Sequence, residues 1–284
     1  MSEDIRRCAL YVVATPIGNL GDITLRALDV LRAVDLIAAE DTRNTGRLLK
    51  HFGIDKPLLA VHMHNERRAC ERIIEALRSG RSIALTTDAG TPGISDPGAI
   101  VVDAVRREGF DAIAIPGPSA LTAAWSVSGL PGTGFLFHGF LPVKSGERVR
   151  VLRSLARNPY PLIFYEAPHR VLATARDLRT TLGPQRSIVL VRELTKVFET
   201  VCQTTLGDLE SWLAADPNRQ RGEFVLIVAS EIEDAAPRVA EAEAALHVLL
   251  QELPAAQSAR LAGLMFGVPR ATLYALAVAV RGGE

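Results

Sequence analysis

The chain has 284 residues, with 32 Lys+Arg against 32 Asp+Glu, a formal net charge of zero and 48% hydrophobic residues. That length exceeds one small core and suits two domains plus an appendage, and the composition argues against a disordered or fibrous chain. Balanced charge gives no global basic excess for nucleic acid, but it leaves room for a local basic patch. Cys8, Cys70 and Cys202 lie far apart with no C-x-x-C pair. This argues against a zinc site of the usual cysteine spacing and fits small buried hydrophobes in a reducing compartment. No apolar run has signal-peptide or membrane-spanning form, so a soluble, cytoplasmic protein is expected.

In chain order, short apolar runs at 8–14 (CALYVVA), 36–39, 58–61, 83–86 and 112–115 predict buried strands. Amphipathic stretches at 24–33, 43–52, 66–79 and 99–108 predict helices between them. Such alternation predicts a mostly parallel sheet with helices on both faces and a site at the strand C-terminal ends. From about residue 130 the strands follow one another more closely, at 135–140, 161–165, 187–192 and 223–229. Helices are expected at 143–156, 169–182 and 206–215, and a mixed sheet follows. Residues 231–237 read as a linker, and two or three short helices come after it, broken near Pro254 and at Gly267-Val268-Pro269. The domains expected are an N-terminal α/β domain over 1–117, a C-terminal α/β domain over 118–234 and a small helical module over 235–284.

Four loops carry most of the chemistry. The glycine-rich 15–22 joins the first strand to a helix that Asp22 or Thr24 would cap; it matches neither a Walker nor a G-x-G-x-x-G pattern. The second, 86–98 (TTDAGTPGISDPG), holds two aspartates, three glycines and two prolines directly after an apolar strand. A loop so irregular costs conformational entropy unless it is rigid or liganded. Its backbone groups suit a flat ligand such as adenine. At 116–123, Ser119 is placed to cap a helix whose free N–H groups suit a carboxylate. At 164–170 an aromatic, a carboxylate, an imidazole and a guanidinium leave one strand end together, although His169 and Arg170 also suit the start of a solvated helix. Glu40, Asp41 and Glu66, on loops after the second and third strands, are the candidate general bases. Arg43, Arg170 and Lys196 are the candidate phosphate ligands. His62 and His64 lack the helical metal-ligand spacing, so no metal is expected.

Together ATPIGNLGDIT, EDTRNTGRLL, TTDAGTPGISDPG, PGPSALTAA, FHGFLP, FYEAPHR, RELTK and GEFVLIV, in that order, resemble the ribosomal RNA small subunit methyltransferase I family. That family shares the tetrapyrrole methylase fold. The resemblance implies two α/β domains with S-adenosylmethionine in the cleft between them, a homodimer and a C-terminal helix-turn-helix-like module. It implies 2′-O-methylation of a decoding-centre cytidine in 16S ribosomal RNA, within the assembled small subunit. By the same resemblance Asp88, Ala89, Gly90, Ile94 and Ser95 line the cofactor site, with Ser119, Ala120, Leu121, Thr122, Tyr165, Glu166 and Ala167 opposite and Pro16 at the edge. Its helical tail carries only Arg260, Arg270 and Arg281. A tetrapyrrole methyltransferase on the same fold and a non-catalytic RNA-binding protein are the alternatives.

Overall fold

The computed structural model describes residues 7–230 and 239–282. The linker expected at 231–237 lies outside the described residues. Residues 1–229 form one compact unit and 230–284 a second.

The first unit opens with a five-stranded sheet of β1 (Ala9–Val13), β2 (Leu36–Ala39), β3 (Leu58–Ala60), β4 (Ile83–Thr86) and β5 (Asp111–Ile115), in the order β3-β2-β4-β1-β5. Every pairing in it is parallel. Helices α1 (Leu25–Ala33), α2 (Thr42–His51), α3 (Glu66–Arg78) and α4 (Ala99–Arg107) make the crossovers. Side chains alternate across β1. Ala9, Tyr11 and Val13 pack with α1 and α2 residues such as Leu31 and Leu49, whereas Leu10 packs with Ile73 of α3 and Val105 of α4. This period-2 alternation, with apolar residues on both faces, is why the strands read as continuous hydrophobic runs. Thr24 is the residue that caps α1, its hydroxyl accepting from the Ala27 N–H at 3.1 Å; Asp22 does not.

After α5 (Ala120–Val127) the chain builds a second sheet. It holds β6 (Leu136–Phe140), β7 (Leu162–Glu166), β8 (Ser187–Arg192), β9 (Thr200–Thr205) and β10 (Phe224–Val228), ordered β6-β7-β10-β8-β9. β6 and β7 are parallel and the other pairs antiparallel. Helices α6 (Ser145–Leu155), α7 (Val171–Leu182) and α8 (Leu206–Ala214) bury one face around Phe164, Leu190 and Leu226. The other face carries Ile163, Val189, Val191 and Val225 and meets Ala124 of α5. β9 has no counterpart among the sequence-predicted strands. Its sequence, TVCQTT, is polar because it is an edge strand and needs no apolar run. Each α/β half thus has its own sheet, and both sheets lie within one compact unit.

In the second unit, α9 (Val239–Glu252), α10 (Ala255–Phe266) and α11 (Arg270–Gly282) surround a core of Leu246, Ala259, Ala262, Val268 and Leu273. The breaks fall at Pro254 and at 267–269, where the sequence places them. Among the described residues no helix is long and apolar enough to cross a membrane.

Candidate functional site

In the first sheet β1 and β4 are neighbours, but their outgoing connections diverge, from β1 toward β2 and from β4 over β1 to β5. Neighbouring strands whose connections part leave a crevice at their C-terminal ends, where ligands bind in open α/β sheets. Here the crevice is fixed by an isolated antiparallel bridge. Thr15 and Gly90 exchange backbone hydrogen bonds of 2.9 and 3.0 Å, and the Thr15 hydroxyl donates to the Thr87 carbonyl at 3.1 Å. The loop after β4 is held at both ends. At its start the Asp88 carboxylate accepts from the Asp41 N–H (3.1 Å) and from Asn44 Nδ2 (2.8 Å). At its end buried Glu66 accepts from the Gly98 N–H at 3.0 Å.

Above the crevice lies a cleft of about 310 Å³, in the size range of small-molecule sites. Ala89, Gly90, Ile94 and Ser95 line it from the first half, Ser119 and Ala120 from the start of α5, and Tyr165, Glu166 and Ala167 from the end of β7. These nine are residues the sequence points to. Pro16 does not line it; its neighbour Ile17 does. Asp88, Leu121 and Thr122 are also absent from the lining, and Asp88 is occupied with α2 as described. Thr91, Asp96, Phe140, Val191, Leu194, Glu223 and Val225 line it without having been singled out. All but Val191 lie inside conspicuous motifs, so position within the motif was the available signal. Val191 and Val225 reach the cleft only because β8 and β10 turn one face of the second sheet toward it. Two aromatic neighbours set Tyr165, the ring centroids of Phe137 and Phe140 lying 4.9 and 5.7 Å away.

The halves meet at two close approaches. In β6 a bulge at Gly139, with φ of 79°, brings the strand so near the β4 loop that a Cβ there would sit 2.7 Å from the Ser95 Oγ. In the first loop, a Cβ on Gly18 would fall 2.5 Å from the Lys196 Cγ. At Gly139 the positive φ also favours glycine, whereas a side chain at Gly18 would have to displace that of Lys196.

The carboxylates separate by environment. Asp96 is half-buried in the cleft, and desolvation, helped by the charges of Glu40 and Asp88, pushes its pKa up to about 6. No hydrogen-bond donor among the described residues reaches its carboxylate. Glu40 is also raised, first by burial, while its Oε2 accepts from the Asp88 N–H at 3.3 Å. Asp41 is driven the other way, to about 2, by the Arg43 side chain and then the Arg43 N–H as it caps α2. A carboxylate so acidic is a feeble proton acceptor. Glu66 is committed to Gly98. Of the three candidate bases, then, geometry gives Asp41 and Glu66 structural work; of the carboxylates lining the cleft, Glu166 and Glu223 are ion-paired and Asp96 is not.

The phosphate candidates divide likewise. Arg43 is exposed but chelated by Asp41 at 2.7 Å. Arg170 is not a solvated cation, since its Nε donates to Glu166 Oε1 at 2.7 Å. The other oxygen of buried Glu166 accepts from the Thr174 hydroxyl. Lys196 bridges Glu193 (2.8 Å) and Glu223 (2.7 Å). Ser119 precedes α5 without a side-chain cap, contrary to expectation. The Leu121 N–H meets the Tyr165 oxygen, and no side chain caps the other first-turn amides of α5, which leaves them to a ligand carboxylate beside the cleft. Apolar walls at Ile17, Ile94 and Leu194 suit a flat heterocycle. Burial pushes the Tyr165 phenol up to about 12, so it remains protonated. No cluster of three or more metal-ligating side chains occurs among the described residues.

Comparison with known proteins agrees with this architecture. Residues 9–210 match the tetrapyrrole (corrin/porphyrin) methylases, and residues 236–281 match the RsmI C-terminal HTH domain. The chain is 51% identical over 265 residues to ribosomal RNA small subunit methyltransferase I of Xylella fastidiosa strain Temecula1, covering 93% of this chain and 97% of that one. It is 46% identical over 281 residues to the protein of the same name from Escherichia coli O157:H7, covering 99% and 98%. Among solved structures it resembles the methyltransferase CobJ, with a TM-score of 0.60 at 20% identity over 78% of this chain and 94% of that one. It also resembles cobalt precorrin-4 methyltransferase, with a TM-score of 0.57 at 17% identity over 78% and 95%. At such identities those two likenesses speak to the fold alone.

Proposed function

This chain belongs to the tetrapyrrole (corrin/porphyrin) methylases, within the ribosomal RNA small subunit methyltransferase I family, and on that premise we propose that it methylates small-subunit ribosomal RNA. The donor is S-adenosylmethionine and the acceptor the ribose 2′-hydroxyl of a cytidine in 16S ribosomal RNA, within the assembled subunit. The family resemblance supports a homodimer working in the cytoplasm.

The observation that carries the reading is the cleft at the β1/β4 crevice, with the uncapped start of α5 on one side and one unpaired carboxylate, Asp96, in its wall. Ala89, Gly90, Ile94 and Ser95 hold the donor from one half, and Ala120, Tyr165 and Ala167 from the other. S-adenosylmethionine supplies a methyl already activated by its sulfonium. What remains for the protein is alignment and proton removal. Rigidity comes from the Thr15–Gly90 bridge, from Asp88 and Glu66 at the two ends of the loop, and from the Gly139–Ser95 approach. Asp96, with a pKa near 6, is largely ionised at neutral pH yet basic enough to take the proton lost by the 2′-hydroxyl. Glu40 supports it by holding negative charge nearby. Arg43 is the exposed sequence candidate for a flanking phosphate, whereas Arg170 and Lys196 act by ordering the wall.

A tetrapyrrole acceptor has only fold-level support, while the ribosomal RNA relatives extend over nearly the whole chain and its helical module. The test is to incubate the purified protein with labelled S-adenosylmethionine and either small subunits from cells lacking it or a precorrin. Label must enter a cytidine of the 16S RNA, located by mass spectrometry. Label in the precorrin, or in neither acceptor, overturns the reading.

A further inference from the structure

Next to the cleft is a second hollow, of about 1100 Å³, beside the β8–β9 hairpin. The two cavities adjoin along the chain at two points. Glu193 and Gly222 face the hollow, and their chain neighbours Leu194 and Glu223 face the cleft. The methylase cleft makes no use of the hollow's own residues.

Three guanidiniums stand in it: Arg192, Arg219 and Arg221. Neutral groups hold the first two. Arg192 Nε donates to the Arg221 carbonyl at 2.9 Å and Nη1 to the Phe198 carbonyl at 2.9 Å. Arg219 Nη1 donates to the Trp212 carbonyl at 3.0 Å, and its guanidinium lies 4.5 Å above the Trp212 ring. None of the three forms an ion pair with a carboxylate among the described residues. Three acids line the hollow with them: Glu193 pairs with Lys196, Glu199 accepts from the Thr195 N–H and Asp216 from the Asn218 N–H. Guanidiniums held by carbonyls rather than by carboxylates keep donors for phosphate oxygens, in a hollow whose lining carries three arginines and three acids. Phe198, 70% exposed, stands at the rim, and no packing in the fold explains it. The loop that presents it is strained. Glu193 and Thr195 hold left-handed φ values of 52° and 64°, which non-glycine residues rarely adopt away from functional segments.

We propose that this hollow seats the single-stranded RNA flanking the methylated nucleotide, with Arg192, Arg219 and Arg221 on its phosphates and the exposed Phe198 ring stacked on an unpaired base. The proposal rests on the ribosomal RNA reading above. Guanidiniums paired with aromatic faces form the sequence-tolerant platform that single strands require. The adjoining cavities let the next nucleotide reach the cleft.

The test uses the whole protein with Phe198→Ala and Arg221→Ala, both at exposed positions. One probe is a short fluorescein-labelled single-stranded RNA, read by anisotropy over a salt series. The other is methyl transfer to small subunits. Each variant should weaken RNA binding about 5- to 20-fold. Arg221→Ala should also flatten the salt slope by about 0.7. The KM for subunits should rise, while kcat and donor affinity hold. Variants that bind RNA as the parent does at every salt concentration overturn the proposal. So does Phe198→Ala splitting a dimer in sedimentation with RNA binding intact, which would assign the face to a second copy. If the parent binds RNA through these residues yet methylates no subunit, the hollow stands and the acceptor reading falls. If parent and variants methylate subunits alike, the hollow falls alone.

Discussion

Replacing Asp96 by asparagine should make the protein more stable and less active. The carboxyl is raised from 3.8 to about 6, chiefly by desolvation and then by Glu40 and Asp88. That is roughly two units at 1.36 kcal/mol each, a ceiling of about 3 kcal/mol. Asp96 is only half-buried, so solvent screening reduces the figure to about 1 kcal/mol. The sign follows from proton binding. Between pH 4 and about 6 the folded state holds the Asp96 proton more tightly than the unfolded chain, so this residue's contribution to stability declines as pH rises through that window. An asparagine side chain at that position cannot ionise and escapes the decline. At pH 8 the variant should melt about 2–4 °C higher than the parent, and below pH 4 the advantage should vanish. Methyl transfer should fall by about 10²–10⁴-fold. In the parent, kcat/KM should lose activity as pH falls through about 6. The assays are thermal unfolding from pH 4 to 8 without donor, and single-turnover methylation across the same range. An asparagine variant that melts no higher at pH 8, or that keeps its activity, refutes the assignment of Asp96 as a strained proton acceptor.

Other substitutions separate structural from chemical roles. Asp41→Asn should leave single-turnover methylation near the parent's value, because a carboxylate held at about 2 contributes little as a base and asparagine still caps a helix. Gly139→Ala must accommodate both a φ of 79° and a Cβ 2.7 Å from the Ser95 Oγ. It should cost about 1–3 kcal/mol in urea unfolding and weaken donor binding by calorimetry, since Ser95 lines the cleft. Glu166→Ala strands the Arg170 guanidinium, of which only 11% is exposed, and should destabilise by about 3–5 kcal/mol in the same unfolding assay. Restoring stability with a further Arg170→Leu change would attribute the loss to the unpaired charge.

The sequence alone determined the elements that bury apolar residues. β1, β2, β4, β8 and β10 are runs of small or branched apolar residues, and a run of that kind needs two covered faces whatever surrounds it. It also pointed to the loop that lines the cleft, because an irregular stretch such as 86–98 is costly in conformational entropy unless it is held rigid. The edge strand β9 was illegible, since a strand paired on one side only can be as polar as a turn. Which carboxylate does what was illegible too. Glu40, Asp41, Glu66, Asp88 and Asp96 are alike as letters and differ in their surroundings. Asn44 and the Asp41 amide claim Asp88, Gly98 claims Glu66, and Arg43 claims Asp41. Hydrogen bonds spanning 32 to 47 residues of sequence made two of those assignments, and no local pattern encodes them. Tertiary structure left Asp96 without a partner in a desolvated wall near Glu40 and Asp88, and that placement raises its pKa.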